Sequence, residues 1–167
     1  MRKIITGKAF VYGNNIDTDQ IYPGRYLELD NPEEVAKHCM EGADPTFVKR
    51  MNSGDIIIGG TNFGCGSSRE HAAITLVNAG VSVILADSFA RIFFRNSINL
   101  ALPLMVCPGI SKKVKDEDIL EVNLEEGAVI NKTTGENIQG QKITEYAMYI
   151  LENGGIKPLF KKKTQEM

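Results

Sequence analysis

The chain has 167 residues, a length that suits one domain and leaves little room for two independent ones. Hydrophobic residues make up 43% and charged residues 24%, proportions that exclude a disordered or collagen-like chain. A formal net charge of -2 supplies no field to draw nucleic acid or an anionic membrane, so neither is an expected partner.

In chain order, residues 4–12 read as a strand interrupted by Gly7, and Gly13-Asn14-Asn15 is a turn signal that delivers Ile16-Asp17-Thr18-Asp19 into a polar loop. Asn31-Pro32-Glu33-Glu34 combines a cap residue, Pro at the first helical position and acids in the first turn, which predicts a helix over 32–40 ended by Gly42. Residues 55–60 form a short β-branched run closed by glycines, a buried strand that stops at a loop. Apolar residues at helical spacing (Ala72, Ala73, Leu76, Val77) predict a helix over 68–79 with Gly80 as its stop. A second buried strand then covers 81–86. Strand, Gly-rich turn, helix and strand make a βαβ unit, with a parallel pair whose ligands bind beyond the carboxyl ends of the strands, where residues 61–71 lie.

Residues 89–99 are expected to be helical, with Arg91 and Arg95 on one face, where structural or subunit-interface pairing is expected of them. Short strands at 120–122, 128–130 and 137–139 read as a small β element. A last helix over 144–153 stops at Gly154-Gly155, and Lys161-Lys162-Lys163 reads as a solvated tail.

The chemistry concentrates in Asn62-Phe63-Gly64-Cys65-Gly66-Ser67-Ser68-Arg69-Glu70-His71, which follows a strand and opens a helix. Its glycines let the backbone approach a ligand closely, and free N–H groups at the start of a helix favour an anion. Two hydroxyls and a planar guanidinium beside those groups suit a carboxylate or phosphate. The competing reading has Ser67 or Ser68 capping the helix and Arg69 paired with Glu70 or solvent. Neither a Walker loop nor a dinucleotide fingerprint is present. His71 is read as a packed, hydrogen-bonded side chain rather than an acid or base.

These ten residues, with Gly13-Asn14-Asn15-Ile16-Asp17-Thr18-Asp19, Ser88-Phe89-Ala90-Arg91-Ile92-Phe93 and Leu102-Pro103-Leu104, resemble the small subunits of 3-isopropylmalate dehydratase, within the aconitase superfamily, over almost the whole chain and in the same order. The resemblance implies an α/β fold like the mobile, swivelling β/β/α three-layer domain of aconitase, spanning residues 1–167 as one domain. It implies a large partner subunit that carries a [4Fe–4S] cluster, whose open iron takes the substrate hydroxyl. Transferred by motif, Ser67 is the base that removes a proton next to a carboxylate, while Ser68 and Arg69 hold a carboxylate of a small hydroxy-dicarboxylate substrate. A serine hydroxyl is a poor base unless its alkoxide is stabilised, a task for Gly66, the helix start and Arg69. By the same analogy Asp17 and Asp19 orient an arginine or the loop; the plain alternative for Asp17 is a local Asx-turn.

Three cysteines match in number the three thiolates of an open-site cluster, but Cys39, Cys65 and Cys107 lie far apart with no Cys-x-x-Cys pair, so no metal is expected on this chain. Cys65 is expected to line the cleft, and Cys39 and Cys107 to sit in the core. The odd count points to a reducing compartment, and no apolar run approaches the roughly 20 residues that cross a bilayer. The first residues lack a signal peptide's apolar segment, so the expected location is the cytoplasm.

Substrate choice in the family turns on the loop after Pro23-Gly24, here Arg25, Tyr26, Leu27, Glu28 and Leu29. Homocitrate-type members resemble Tyr-Leu-Arg at this point and isopropylmalate enzymes place an apolar residue; Glu28 departs from both. Its charge repels a third carboxylate, and Leu27 and Leu29 offer contact to a branched alkyl group. The expected reaction is therefore the isomerisation of 2- and 3-isopropylmalate by dehydration and rehydration, as in leucine biosynthesis. The alternatives are a dimethylmalate, citramalate or homoaconitate type of dehydratase, or a non-catalytic carboxylate-binding module.

Overall fold

A computed structural model describes residues 2–166. In order it contains β1 (Ile4–Val11), α1 (Thr18–Ile21), a 3-10 turn (Gly24–Tyr26), α2 (Pro32–Ala36), α3 (Phe47–Arg50), β2 (Ile56–Gly59), α4 (His71–Ala79) and β3 (Val83–Ala86). There follow α5 (Arg91–Asn99), β4 (Leu104–Val106), α6 (Ile110–Lys113), β5 (Ile119–Asn123), β6 (Ala128–Asn131), β7 (Asn137–Gln139), α7 (Glu145–Glu152) and α8 (Ile156–Glu166).

The strands form one seven-stranded sheet in the order β4-β3-β2-β1-β5-β6-β7. β1 joins its two halves by changing partner along its length: residues 9–11 pair parallel with β2, and residues 4–8 pair antiparallel with β5. The short C-terminal strands form the small β element the sequence suggested; it is antiparallel and joins the parallel half through β1. Period-two alternation then sorts the core into layers. Phe10, Ile57 and Ile84 pack with Leu76 and Phe93 on the helical side. Ala9, Ile56, Ile58, Val83 and Leu85 pack with Leu120, Val122 and Val129 of the antiparallel half. Antiparallel strands, parallel strands and helices thus make three layers, and the middle layer is apolar on both faces because both are covered.

Several boundaries moved for tertiary reasons. The helix expected over 32–40 stops at Ala36, because Met40 takes a left-handed backbone (φ +60°) and its N–H donates to the Ile21 carbonyl (2.7 Å). Gly80 ends α4 in the left-handed region as expected (φ +93°). The lysines read as a tail, Lys161 to Lys163, are exposed but sit on α8, which the sequence reading did not anticipate.

Candidate active site

Three loops leave the carboxyl ends of β1, β2 and β3 and lock together. The Asn15 N–H donates to the Thr61 carbonyl (2.8 Å) and the Gly64 N–H to the Ile16 carbonyl (2.7 Å). Phe63 and Ala90 join the second loop to the third, through Phe63 N–H to Ser88 O (3.0 Å) and Ala90 N–H to Phe63 O (3.0 Å). Gly64 cannot be replaced without strain: its φ is +86°, and a side chain there would be driven into the Phe93 ring.

On this base, residues 65–70 form a turn rather than the first turn of a helix. Gly66 is left-handed (φ +109°), and the Ser67 Oγ accepts the Arg69 N–H (3.2 Å), so α4 starts only at His71. Neither serine caps it. The Ser67 N–H donates to the Thr18 Oγ1 (3.0 Å) and the Thr18 N–H to the Cys65 carbonyl (2.8 Å), which fixes the turn against the start of α1. Asp17 caps that helix, its carboxylate accepting from the Gln20 N–H (2.8 Å), and so takes the local role rather than meeting an arginine. Asp19 accepts the Gly24 N–H (2.7 Å), tying down the start of the loop at 25–29.

One small cavity, about 60 Å³, is lined by Thr18, Asp19, Tyr22, Gly24, Leu27, Ser67, Arg69, His71 and Ala72. It brings together Ser67, Arg69, Asp19 and one residue of the loop at 25–29, Leu27. Gly66, Ser68, Cys65, Asp17 and the loop's Arg25, Tyr26, Glu28 and Leu29 do not line it. Ser68 and Glu28 are exposed, the Ser68 carbonyl accepting the Asn96 Nδ2–H (3.2 Å). Thr18, Tyr22 and His71 also line the cavity, a role not expected of any of them from the sequence. His71 stacks on Tyr22 (centroids 6.2 Å apart, planes 7° apart), and its buried Nδ1 has no hydrogen-bond partner, contrary to the bonded side chain expected.

Among the described residues Arg69 makes no ion pair and does not bond Glu70, so its guanidinium is available to an anion. Arg91 and Arg95 likewise pair with no carboxylate among the described residues; both are exposed on α5. The cysteines do not fit a cluster. Cys39 lies on the helical side of the core and Cys107 on the opposite side, and burial pushes both thiols up to about 12, away from the thiolate a metal needs. Among the described residues no group of three His, Cys, Asp or Glu side chains is placed to hold a metal ion.

Thr18→Val tests how the turn is held. It preserves shape but removes the acceptor of the Ser67 N–H, so we expect stability to fall by about 1 kcal/mol, which urea unfolding checks.

The chain is thus an α/β domain of three layers, with Ser67 and Arg69 in a cavity beyond the carboxyl ends of its parallel strands. Residues 14–108 match the family model of the aconitase C-terminal domain. The chain is 58% identical to the isopropylmalate/citramalate isomerase small subunit of Methanocaldococcus jannaschii, over 99% of each chain. It is 54% identical to 3-isopropylmalate dehydratase small subunit 1 of Methanopyrus kandleri, over 98% of this chain and 96% of that one. A crystal structure of 3-isopropylmalate dehydratase from Methanocaldococcus jannaschii superposes with a TM-score of 0.93 at 40% identity, covering 97% of this chain and 96% of the other. The chain belongs to the family of 3-isopropylmalate dehydratase small subunits.

Proposed function

We propose that the chain supplies the base and one carboxylate anchor to a hydro-lyase that interconverts 2-isopropylmalate and 3-isopropylmalate, and that it works only with a large subunit. The observation that carries this is the shared cavity of Ser67, Arg69 and Leu27. Arg69 holds a substrate carboxylate through its planar fork, with Ser68 beside it. Ser67, as the alkoxide, takes the proton from the carbon next to a carboxylate while the hydroxyl leaves from the neighbouring carbon. On rehydration it returns a proton, with hydroxyl now added at the other carbon. Two features of the turn support the alkoxide: the Arg69 N–H already donates to Ser67 Oγ, and the Arg69 side chain brings positive charge into the same cavity. A [4Fe–4S] cluster belongs with the large subunit, since this chain's thiols do not fit one.

No helix among the described residues is long and apolar enough to cross a membrane; we place the enzyme in the cytoplasm. The test of the two-subunit reading is direct. The isolated chain should be inactive, and the pair assembled without oxygen and with iron supplied should convert 2-isopropylmalate. Full activity of the chain alone would overturn it.

Citramalate is the second substrate to try, because the relative from Methanocaldococcus jannaschii is named for both acids. Leu27 faces the cavity and suits either alkyl group, whereas exposed Glu28 beside it opposes a third carboxylate. Glu28→Arg should therefore raise activity on a tricarboxylate such as homocitrate relative to isopropylmalate by about tenfold. Unchanged relative rates would remove Glu28 from the substrate's reach.

A further inference from the structure

The loop that carries Leu27 to the cavity is held by residues that do not line it. Tyr26, its neighbour, lies flat on the His38 ring, with centroids 3.6 Å apart and planes 12° apart, while the Arg25 guanidinium covers the Tyr26 ring at 4.7 Å. All three converge on one carboxylate. The Tyr26 hydroxyl donates to Glu41 Oε1 (2.8 Å), Arg25 Nη2 donates to the same oxygen (3.2 Å), and His38 Nδ1 meets Glu41 Oε2.

Glu41 is itself on fixed backbone. It stands between Met40, whose N–H donates to Ile21 O (2.7 Å), and Gly42, whose N–H donates to Gln20 O (2.9 Å). A side chain on Gly42 would collide with the backbone of Gln20, so this close approach needs glycine. The post therefore rests on α1, the same helix whose first residue positions Ser67. On the cavity side the loop has a second fastening: the Tyr22 hydroxyl donates to the Tyr26 carbonyl (2.6 Å), and Tyr22 stacks on His71.

We infer that Glu41, with His38, is a positioning site for substrate selection: it clamps Tyr26 and Arg25 so that Leu27 is presented to the cavity at one depth and the alkyl group of the substrate is measured against it. Neither residue lines the cavity. Burial alone would raise the Glu41 carboxyl, yet the bonds from His38, Tyr26 and Arg25 hold it below the usual carboxylate range, so it stays ionised and keeps its three partners. The inference rests on the proposed function, in that Leu27 must face the substrate's alkyl group.

The test uses the chain assembled with its large subunit and compares kcat/KM for 2-isopropylmalate and for citramalate, acids that differ only in the alkyl substituent. The variants are Glu41→Ala, Glu41→Gln and Tyr26→Phe, with Leu27→Ala as reference and Lys37→Ala as a nearby surface control. One or two methylenes in an apolar pocket are worth roughly 10–200-fold in discrimination, so freeing the loop should shrink the wild-type preference by about fivefold or more in Glu41→Ala. Tyr26→Phe should lose a smaller share, Glu41→Gln should recover part of it, and Lys37→Ala should match wild type. A purely structural role would lower the amount of folded pair and leave the ratio alone.

Amide exchange in the isolated chain gives a readout free of catalysis. The Tyr26, Leu27 and Leu29 N–H groups bond within the loop, and their exchange should quicken by about tenfold in Glu41→Ala. If Leu27→Ala changes the preference while the Glu41 and Tyr26 variants keep the wild-type ratio and exchange, the clamp is overturned. If Leu27→Ala also keeps the ratio, the placement of the loop against substrate is what fails. Should Glu41→Ala not fold, Glu41→Gln and Tyr26→Phe decide between the same outcomes.

Discussion

Ser67→Ala, assembled with the large subunit, should lose about 10³-fold in kcat, within the range that a positioned acid or base contributes, with KM close to wild type. The residue is exposed, and its one side-chain bond is the acceptance of the Arg69 N–H, so the fold should lose no more than about 1 kcal/mol. The Ser67 N–H bond to Thr18 is made by backbone and survives the change. Melting temperature should stay within about 4 °C of wild type and assembly with the partner should match it, which separates a chemical defect from a structural one. An unchanged rate would place the base elsewhere and favour the reading of this chain as a carboxylate-binding module.

Much of this site was legible because its chemistry is contiguous. Ser67 and Arg69 sit two positions apart in a stretch whose glycines and following apolar periodicity already announced a strand, a turn and a helix. What the sequence could not show was contact across distance. The Thr18 hydroxyl that holds the Ser67 N–H comes from 49 residues away, and nothing in Asp17-Thr18-Asp19 marks its middle residue as the one that matters. The start of α4 was misplaced for a related reason: Ser67 and Ser68 look like caps, but the left-handed Gly66 and the Ser67 to Arg69 bond spend those groups on a turn. Likewise β1 reads as an ordinary strand, and only the packed structure shows that it pairs parallel at one end and antiparallel at the other. Local preferences marked ten of the elements but missed α1, which reads as a polar loop, and α3, β4, α6 and α8. Long-range hydrogen bonds decided where those elements end and which side chains meet.

Arg69 should prove the main determinant of substrate affinity on this chain. It lines the cavity and, among the described residues, has no carboxylate within ion-pair distance, so removing it breaks no ion pair there and any loss must be read in the assembled enzyme. Hydrogen bonds to charged groups are worth roughly 1.5–3 kcal/mol, which converts to a loss of about 10- to 150-fold in kcat/KM for Arg69→Ala, through KM and, with the supporting charge gone, through kcat as well. Arg69→Lys is the sharper variant. It keeps the charge that supports the Ser67 alkoxide but gives up the planar two-point grip on a carboxylate, so kcat should be largely retained while KM rises about tenfold. If lysine instead lowers kcat and leaves KM alone, the guanidinium acts on the serine rather than on the substrate. If neither variant changes either constant, Arg69 does not reach the bound acid, and the carboxylate anchor lies wholly in the partner.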